Sequence, residues 1–251
     1  EHAKAVGISI FSSPFDTTAI DLLEDLEAPA YKIASFEAID LPLIRYAAST
    51  GKPLIISTGM ADQKEISEAV DAAKTAGCKN LAILHCVSGY PAPAEDYNLK
   101  TIPDMIDQFG LVTGLSDHTL DNTTAIASVV LGAAIIEKHF TLDRNGGGPD
   151  DSFSLEPKEM AALCRDAKTA WTASGKVDYD RKPSEQSNMQ FRRSLYFVRD
   201  LKSGDTITHD SIRSVRPGYG LPPKYYDSLI GKKVATDVNI NTPVLKSTVS
   251  D

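Results

Sequence analysis

The sequence has few cysteines, no long apolar run and fewer basic than acidic residues. Its three cysteines, Cys78, Cys86 and Cys164, match neither a zinc nor a disulfide pattern, which indicates reduced thiols in a cytoplasmic protein. The longest apolar stretch, residues 129–136, is far shorter than the roughly 20 residues that span a membrane, and no signal peptide is visible. The net charge of −8 argues against a nucleic-acid partner. We therefore expect neither a membrane nor a nucleic acid to be a partner.

Six short apolar runs alternate with helical patterns between residues 7 and 140. They are rich in Ile, Leu, Val and Ala without alternation, which is typical of strands buried on both faces. Helix signals lie between them, such as Asp62 with Glu65 at one helix start and Gly77 past its end. This order predicts an α/β fold with a parallel sheet, and the repeat indicates a TIM-type (β/α) barrel. The runs are GISIFSS, YKIAS, PLIIST, LAILHC, GLVTGLS and AAIIEKH.

The chain divides by its texture into two parts. A closed barrel of this type needs eight strands, so either two strands lie upstream of Glu1 or the sheet is open. We assign residues 1–172 to a barrel that is incomplete at its N-terminal side, and the polar, aperiodic residues 173–191 to a linker. Residues 192–251 contain short β-like runs broken by turns, which predict a small, mainly β second domain.

Two histidines follow successive runs at equivalent points. His118 and His139 are 21 residues apart, about one strand–helix–strand repeat, so the sheet can place them at the same end of neighbouring strands. Two neutral imidazoles there can hold a divalent metal and leave coordination positions open. Glu137 points to the same face as His139, where it can orient a ligand, act as a base or bind substrate. The alternative is that each histidine caps its strand and hydrogen-bonds locally.

A lysine inside an apolar run indicates an anion site. Lys32 lies within YKIAS, and a buried ammonium needs an anionic partner. A bound phosphate or carboxylate would supply one; the alternative is that the side chain snorkels to the end of the barrel. Hydroxyl groups near the ends of the runs can donate hydrogen bonds to the same anion; they belong to Ser35, Ser57, Ser88 and Ser116.

Three loop residues are candidates for binding a sugar. Tyr90, in the stiff loop CVSGYPAPAEDYNL, can contact a sugar or pack beneath the loop. Asp150 follows three glycines that permit close backbone approach; a flexible surface turn is the alternative. Arg216 lies in the turn RPGYGLPP, where a solvated surface charge is the alternative.

The combined motifs resemble those of the sialic acid synthases. KIAS, STGM, YPAPAEDYNL, GLSDHT, EKHF, GGPDDSFSLEP, RRSLY and RPGYGLPP occur in the family's order, from about Gly7 to the C-terminus. Within the family, YPAPAEDYNL and GGPDDSFSLEP are most similar to the pseudaminic acid synthase branch. The resemblance implies a TIM barrel followed by an antifreeze-like β domain, in a domain-swapped homodimer. It also implies condensation of phosphoenolpyruvate with an N-acetylated amino sugar, which gives a nine-carbon 2-keto acid and phosphate.

The resemblance assigns roles by matching motif. His118 and His139 would bind a divalent metal, usually Mn²⁺ with Mg²⁺ or Co²⁺ as alternatives, and would act in catalysis with Glu137. Phosphoenolpyruvate would be surrounded by Glu137 and by Ser13, Lys32, Ser35, Ser57 and Ser116, with Ser88 nearby. Tyr90 and Asp150 would hold the sugar, and Arg216 would reach it from the partner subunit. The alternatives are an N-acetylneuraminate or legionaminate synthase, and a non-catalytic remnant that binds a sugar or its phosphate.

Overall fold

The computed structural model describes residues 2–250 of the chain. These form two compact units, the first ending at Lys176 and the second beginning at Val177. No helix within this described range is long and apolar enough to cross a membrane.

The first unit is built on a parallel sheet of five strands in the order β1-β2-β3-β4-β5. The strands are β1 (Tyr31–Ile33), β2 (Leu54–Ser57), β3 (Leu81–Cys86), β4 (Val112–Asp117) and β5 (Ile136–Lys138). The helices are α1 (His2–Val6), α2 (Thr17–Asp25), α3 (Leu41–Ser49), α4 (Gln63–Thr75), α5 (Thr101–Phe109), α6 (Thr123–Val130) and α7 (Pro157–Ser174). Because consecutive strands are neighbours and each is followed by a helix, the sheet has the topology of part of a (β/α) barrel.

The prediction of six strands is wrong by one. The first run, GISIFSS, forms no strand; its one pairing is a parallel bridge between Ser12 and Tyr31. Ile8 and Ile10 are 65% and 69% exposed, so the apolar side chains of this run pack against no neighbouring strand within residues 2–250. A ladder needs a partner along its length, and β1 offers this run only one such pairing.

The helix signals predicted for α4 are confirmed, and α3 has an acidic cap of the same kind. At the start of α4, the Glu65 backbone amide donates to the Asp62 carboxylate, and the Asp62 amide donates to the Glu65 carboxylate, each at 2.9 Å. Gly77 follows this helix with φ +99°, a conformation that favours glycine. Asp40 caps α3 by accepting from the Leu43 amide at 3.0 Å.

Strand register decides which side chains face the helices. Ile33, Ile56 and Ile83 lie side by side on β1, β2 and β3, and they belong to a buried cluster with α3 and α4. Successive residues of a strand point to opposite faces. Lys32 and Ser57, which adjoin Ile33 and Ile56, therefore point to the opposite side of the sheet from α3 and α4.

The second unit is mainly β, as predicted. Its strands pair as two antiparallel ribbons: β6 (Ser194–Phe197) with β7 (Ile212–Val215), and β8 (Lys233–Val234) with β9 (Val249–Ser250). A short helix, α8 (Tyr226–Leu229), precedes β8. Its core includes Leu195, Phe197, Ile207, Ile212, Val234 and Val244. Within the stretch interpreted as a linker, α7 continues to Ser174 and a 3₁₀ helix spans Pro183–Phe191.

Candidate active site

A cavity of about 340 Å³ lies at the carboxyl ends of the strands of the first unit. Nine of the twelve predicted site residues line it: Ser13, Lys32, Ser35, Ser57, Tyr90, Ser116, His118, Glu137 and His139. Ala34, Phe36, Cys86 and Lys138 complete the lining. The carboxyl ends of parallel strands are where barrels of this type build their active sites.

Lys32 is paired with a carboxylate of the protein itself. Its Nζ lies 3.2 Å from Oε1 of Glu137, and the Ser116 hydroxyl donates to the same oxygen at 2.8 Å. Lys32 is only 7% exposed, so Glu137 supplies the anionic partner that a buried ammonium needs. An ammonium has three donors and this pair occupies one of them, so the cavity wall can present a cation to an anionic ligand.

Ser57 places a buried hydroxyl group in the lining of the cavity. The residue is 1% exposed, and its Oγ has no hydrogen-bond partner within residues 2–250. A buried hydroxyl without a partner costs about 1–3 kcal/mol. An acceptor oxygen of a bound ligand would remove that cost, so Ser57 is suited to binding an anion.

Ser35 and Ser88 pack against Gly59, which was not predicted as a site residue. The Ser88 hydroxyl donates to the Ser35 hydroxyl at 3.0 Å. A Cβ atom on Gly59 would lie 2.3 Å from the Cβ of Ser35 and 2.8 Å from the Oγ of Ser88, and Gly59 has φ +50°. Only glycine fits both the contact and the conformation. The signal was present in STGM, where Gly59 follows the end of β2 by two residues.

The two imidazoles lie together in the cavity. Their ring centroids are 5.3 Å apart. The Nδ1 atom of His118 is 2.7 Å from the Val87 carbonyl oxygen, and Nδ1 of His139 is 3.5 Å from Oδ2 of Asp150. With a proton on Nδ1 facing an oxygen, each Nε2 carries the lone pair. This is the tautomer that metal-binding histidines adopt when an outer oxygen orients them.

The environment of His118 favours its neutral form. Burial lowers the pKa of His118, the neighbouring His139 acts in the same direction, and the hydrogen bond to Val87 opposes them. Its backbone amide donates to the Tyr97 hydroxyl at 2.6 Å, so the main chain is fixed as well as the ring. Neutral imidazole is the form that binds a metal.

The donor set available to a metal is small. Within the described residues, no group of three or more His, Cys, Asp or Glu side chains is arranged to hold a metal ion. A metal held by the two imidazoles would therefore depend on water or substrate for its remaining ligands.

Tyr90 packs against both imidazoles. Its ring lies 4.2 Å from that of His118 and 5.8 Å from that of His139, and Phe153 lies 5.6 Å away. Burial raises the pKa of Tyr90, so its hydroxyl remains protonated and can donate to a ligand. Phe153 also contacts His139 edge-on at 5.1 Å and was not predicted, because only the folded loop brings it there.

Three predicted residues do not line the cavity. Ser88 is hydrogen-bonded to Ser35, which lines the cavity, and Asp150 lies beside His139. Arg216 lies in the second unit, where it is exposed and directly follows β7. Cys86, which does line the cavity, is buried, and this burial raises the pKa of its thiol. The described structure contains no disulfide among Cys78, Cys86 and Cys164.

Comparison with known proteins agrees with the motifs. Residues 1–179 match the NeuB family, and residues 192–250 match the SAF domain. A pseudaminic acid synthase of Helicobacter pylori is 38% identical over 245 residues, which are 97% of this chain and 72% of that protein. An N,N'-diacetyllegionaminic acid synthase of Campylobacter jejuni is 40% identical over 234 residues, which are 92% of this chain and 70% of that protein.

A solved structure shows the same fold. The crystal structure of an N-acetylneuraminic acid synthetase from Leptospira borgpetersenii, in complex with citrate, matches with a TM-score of 0.70 at 34% identity. The match covers 74% of this chain and 65% of that chain. The five-stranded parallel sheet is thereby shown to be part of a TIM-type barrel.

Proposed function

The chain belongs to the NeuB family, the sialic acid synthase family, and from that membership we propose that it condenses phosphoenolpyruvate with an N-acetylated amino sugar. The products are a nine-carbon 2-keto sugar acid and phosphate. One observation supports this most strongly: two imidazoles, a buried lysine and an unpartnered serine hydroxyl line one cavity at the carboxyl ends of the strands.

The buried polar side chains of the cavity suit phosphoenolpyruvate. Lys32 supplies a positive charge, and Ser57 supplies a hydroxyl donor with no partner among the described residues. Ser116 lies beside them and would exchange its hydrogen bond to Glu137 for one to the ligand. Charge-assisted hydrogen bonds of this kind are roughly twice as strong as neutral ones. Ser13 and Ser35 line the same cavity and add further donors. Holding the donor substrate in one orientation is a main part of how two reactants are brought together.

We assign the metal to His118 and His139. A divalent metal held there would act as a Lewis acid on the open-chain aldehyde of the sugar. Imidazole ligands suit transition metals, whereas Mg²⁺ prefers oxygen ligands. We therefore propose Mn²⁺, with Co²⁺ as a closer alternative than Mg²⁺.

The reaction then follows from the placement of the polar groups. C3 of phosphoenolpyruvate attacks the aldehyde carbon, and positive charge develops at C2. Glu137, whose carboxylate faces the donor site beside Lys32, stabilises that charge and accepts a proton from the water that adds at C2. The aldehyde oxygen takes up a proton and becomes a hydroxyl group of the product. The new hydroxyl group on C2 then loses its proton to form the ketone, while the bond between C2 and the phosphate ester oxygen breaks and phosphate leaves with that oxygen. Lys32 stabilises the departing phosphate.

The second substrate, the amino sugar, would bind beside the two imidazoles. Tyr90 and Asp150 adjoin the imidazoles and would bind its polar groups, and Arg216 would reach it from the partner subunit of a homodimer. We propose a sugar of the pseudaminic acid pathway. The runner-up is the legionaminic acid precursor, because a legionaminic acid synthase is equally similar to this chain.

The test is product formation with matched histidine variants. The protein is incubated with phosphoenolpyruvate, Mn²⁺ and each candidate amino sugar, and both phosphate and the mass of the sugar acid are measured. His118→Ala should abolish turnover, whereas His2→Ala, an exposed histidine of α1, should not. Release of no phosphate with any sugar would refute the synthase assignment, and binding of phosphoenolpyruvate without turnover would support a non-catalytic role.

A further inference from the structure

An ion pair buried directly before the two histidines has no role in the proposed reaction. Lys138 Nζ lies 2.8 Å from Oδ2 of Asp117, and the two side chains are 2% and 0% exposed. The two residues are also direct partners in the pairing of β4 with β5. Each one immediately precedes a cavity histidine, His118 or His139.

The lysine also holds the chain that follows β4. Its Nζ donates to the carbonyl oxygens of Thr119 at 2.6 Å and Asp121 at 2.7 Å. The other carboxylate oxygen of Asp117 accepts from the Thr119 amide at 2.9 Å. The segment that carries His118 is therefore folded around one ammonium group, which uses all of its donors.

Two polar pairs join β4 and β5 at successive steps of the ladder. Ser116 and Glu137 are partners one step earlier and are hydrogen-bonded to each other in the cavity. Lys138 also borders the cavity, but its buried side chain pairs with that of Asp117. Because side chains alternate between faces, this pair joins the same two strands from the other face. The ends of both strands are thus fixed immediately before the imidazoles leave them.

Stability alone does not account for these charges. A buried ion pair is often no more stable than a well-packed apolar pair of similar volume. An apolar pair, however, would not hold the carbonyl groups of residues 119 and 121 in place.

We infer that Asp117 and Lys138 are positioning residues that set the separation of His118 and His139 for a divalent cation. This inference rests on the proposed function, because it takes the two imidazoles to be metal ligands. Outer residues that orient metal ligands typically change metal affinity by about 10- to 100-fold when replaced.

The test separates positioning from folding. The double variant D117N/K138M removes both charges together, so that no buried charge is left unpaired, and keeps side-chain volume and an acceptor for the Thr119 amide. The matched control is E24Q/K52M, because Lys52 and Glu24 form an ion pair at 2.7 Å near the amino end of β2. Mn²⁺ and phosphoenolpyruvate affinities are measured separately by calorimetry without sugar, together with thermal unfolding.

The double variant should remain folded and bind Mn²⁺ about 10- to 100-fold more weakly. Its affinity for phosphoenolpyruvate, which depends on Lys32 and Ser57, should stay close to that of the wild type. The control E24Q/K52M should bind Mn²⁺ as tightly as the wild type does. If the double variant does not fold, D117N alone is measured instead, because Lys138 keeps its hydrogen bonds to the carbonyl oxygens of Thr119 and Asp121 in that variant. D117N should also bind Mn²⁺ more weakly than the wild type.

Two results would overturn the inference, and they differ in what else they overturn. A folded double variant, or a folded D117N, that binds Mn²⁺ like the wild type would make the pair purely structural and leave the proposed function intact. A wild-type protein that binds no Mn²⁺ would remove the metal centre together with the inference.

Discussion

Replacing Lys32 by methionine is the sharpest perturbation of the proposed anion site. The variant keeps the aliphatic volume and removes the ammonium that lies 3.2 Å from Glu137. A hydrogen bond to a charged group contributes about 1.5–3 kcal/mol. At about 1.4 kcal/mol for each factor of ten, the KM for phosphoenolpyruvate should rise about 10- to 100-fold.

The effect of this change on folding should be smaller. Breaking a fully buried ion pair by removing one partner costs about 3–5 kcal/mol. The side chain of Glu137 is 40% exposed, so solvent screens the carboxylate that is left behind. We expect a loss of about 1–2 kcal/mol in the free energy of unfolding.

The assay is steady-state phosphate release with phosphoenolpyruvate varied at saturating sugar and Mn²⁺. Lys64→Met is the matched control, because Lys64 is an exposed lysine of α4 whose ion pair with Glu68 is on the surface. The control should leave the KM for phosphoenolpyruvate unchanged. A folded Lys32→Met variant with the KM of the wild type would refute the assignment of Lys32 to the anion site.

Three further predictions concern single positions and pH. Ser57→Ala should leave the free energy of unfolding unchanged or raise it by about 1 kcal/mol, because its hydroxyl has no partner, while weakening phosphoenolpyruvate binding; a large loss of stability in denaturant titration would contradict this. Gly59→Ala should lower the free energy of unfolding by about 1–3 kcal/mol, and the melting temperature with it, because the new Cβ would lie 2.3 Å from the Cβ of Ser35. An unchanged melting curve would contradict this prediction. Burial lowers the pKa of both His85 and His118 below the ordinary value of 6.5. The unfolded chain therefore binds more protons than the folded protein below that pH. The free energy of unfolding should fall as the pH falls, by up to about 1.4 kcal/mol per pH unit for each histidine. In denaturant titrations from pH 7.5 to 5, the free energy of unfolding of His85→Gln should fall less steeply with decreasing pH than that of the wild type. An equally steep fall would contradict the lowered pKa of His85.

Much of the site could be predicted because of how parallel sheets are built. Buried strands are recognisable as unbroken apolar runs, and their carboxyl ends meet at one edge. Residues that end successive runs, such as Ser57, Ser116 and His139, therefore had to lie near one another. Lys32 stood out because a charge inside an apolar run requires a partner.

The rest depends on contacts that no local pattern encodes. The run GISIFSS has the composition of a strand, but strand formation depends on a neighbour, and Ile8 and Ile10 have none within the described residues. Gly59 and Lys138 are informative only once the register brings Ser35 or Asp117 beside them. In each case the deciding partner is distant in sequence.

A crystal structure of the protein with Mn²⁺ and phosphoenolpyruvate, with the metal located by its anomalous scattering, would test the proposed site most directly. We expect one anomalous peak at bonding distance from Nε2 of both His118 and His139, and phosphoenolpyruvate in contact with Lys32 and Ser57. An anomalous peak that contacts neither imidazole, or phosphoenolpyruvate bound outside this cavity, would contradict it.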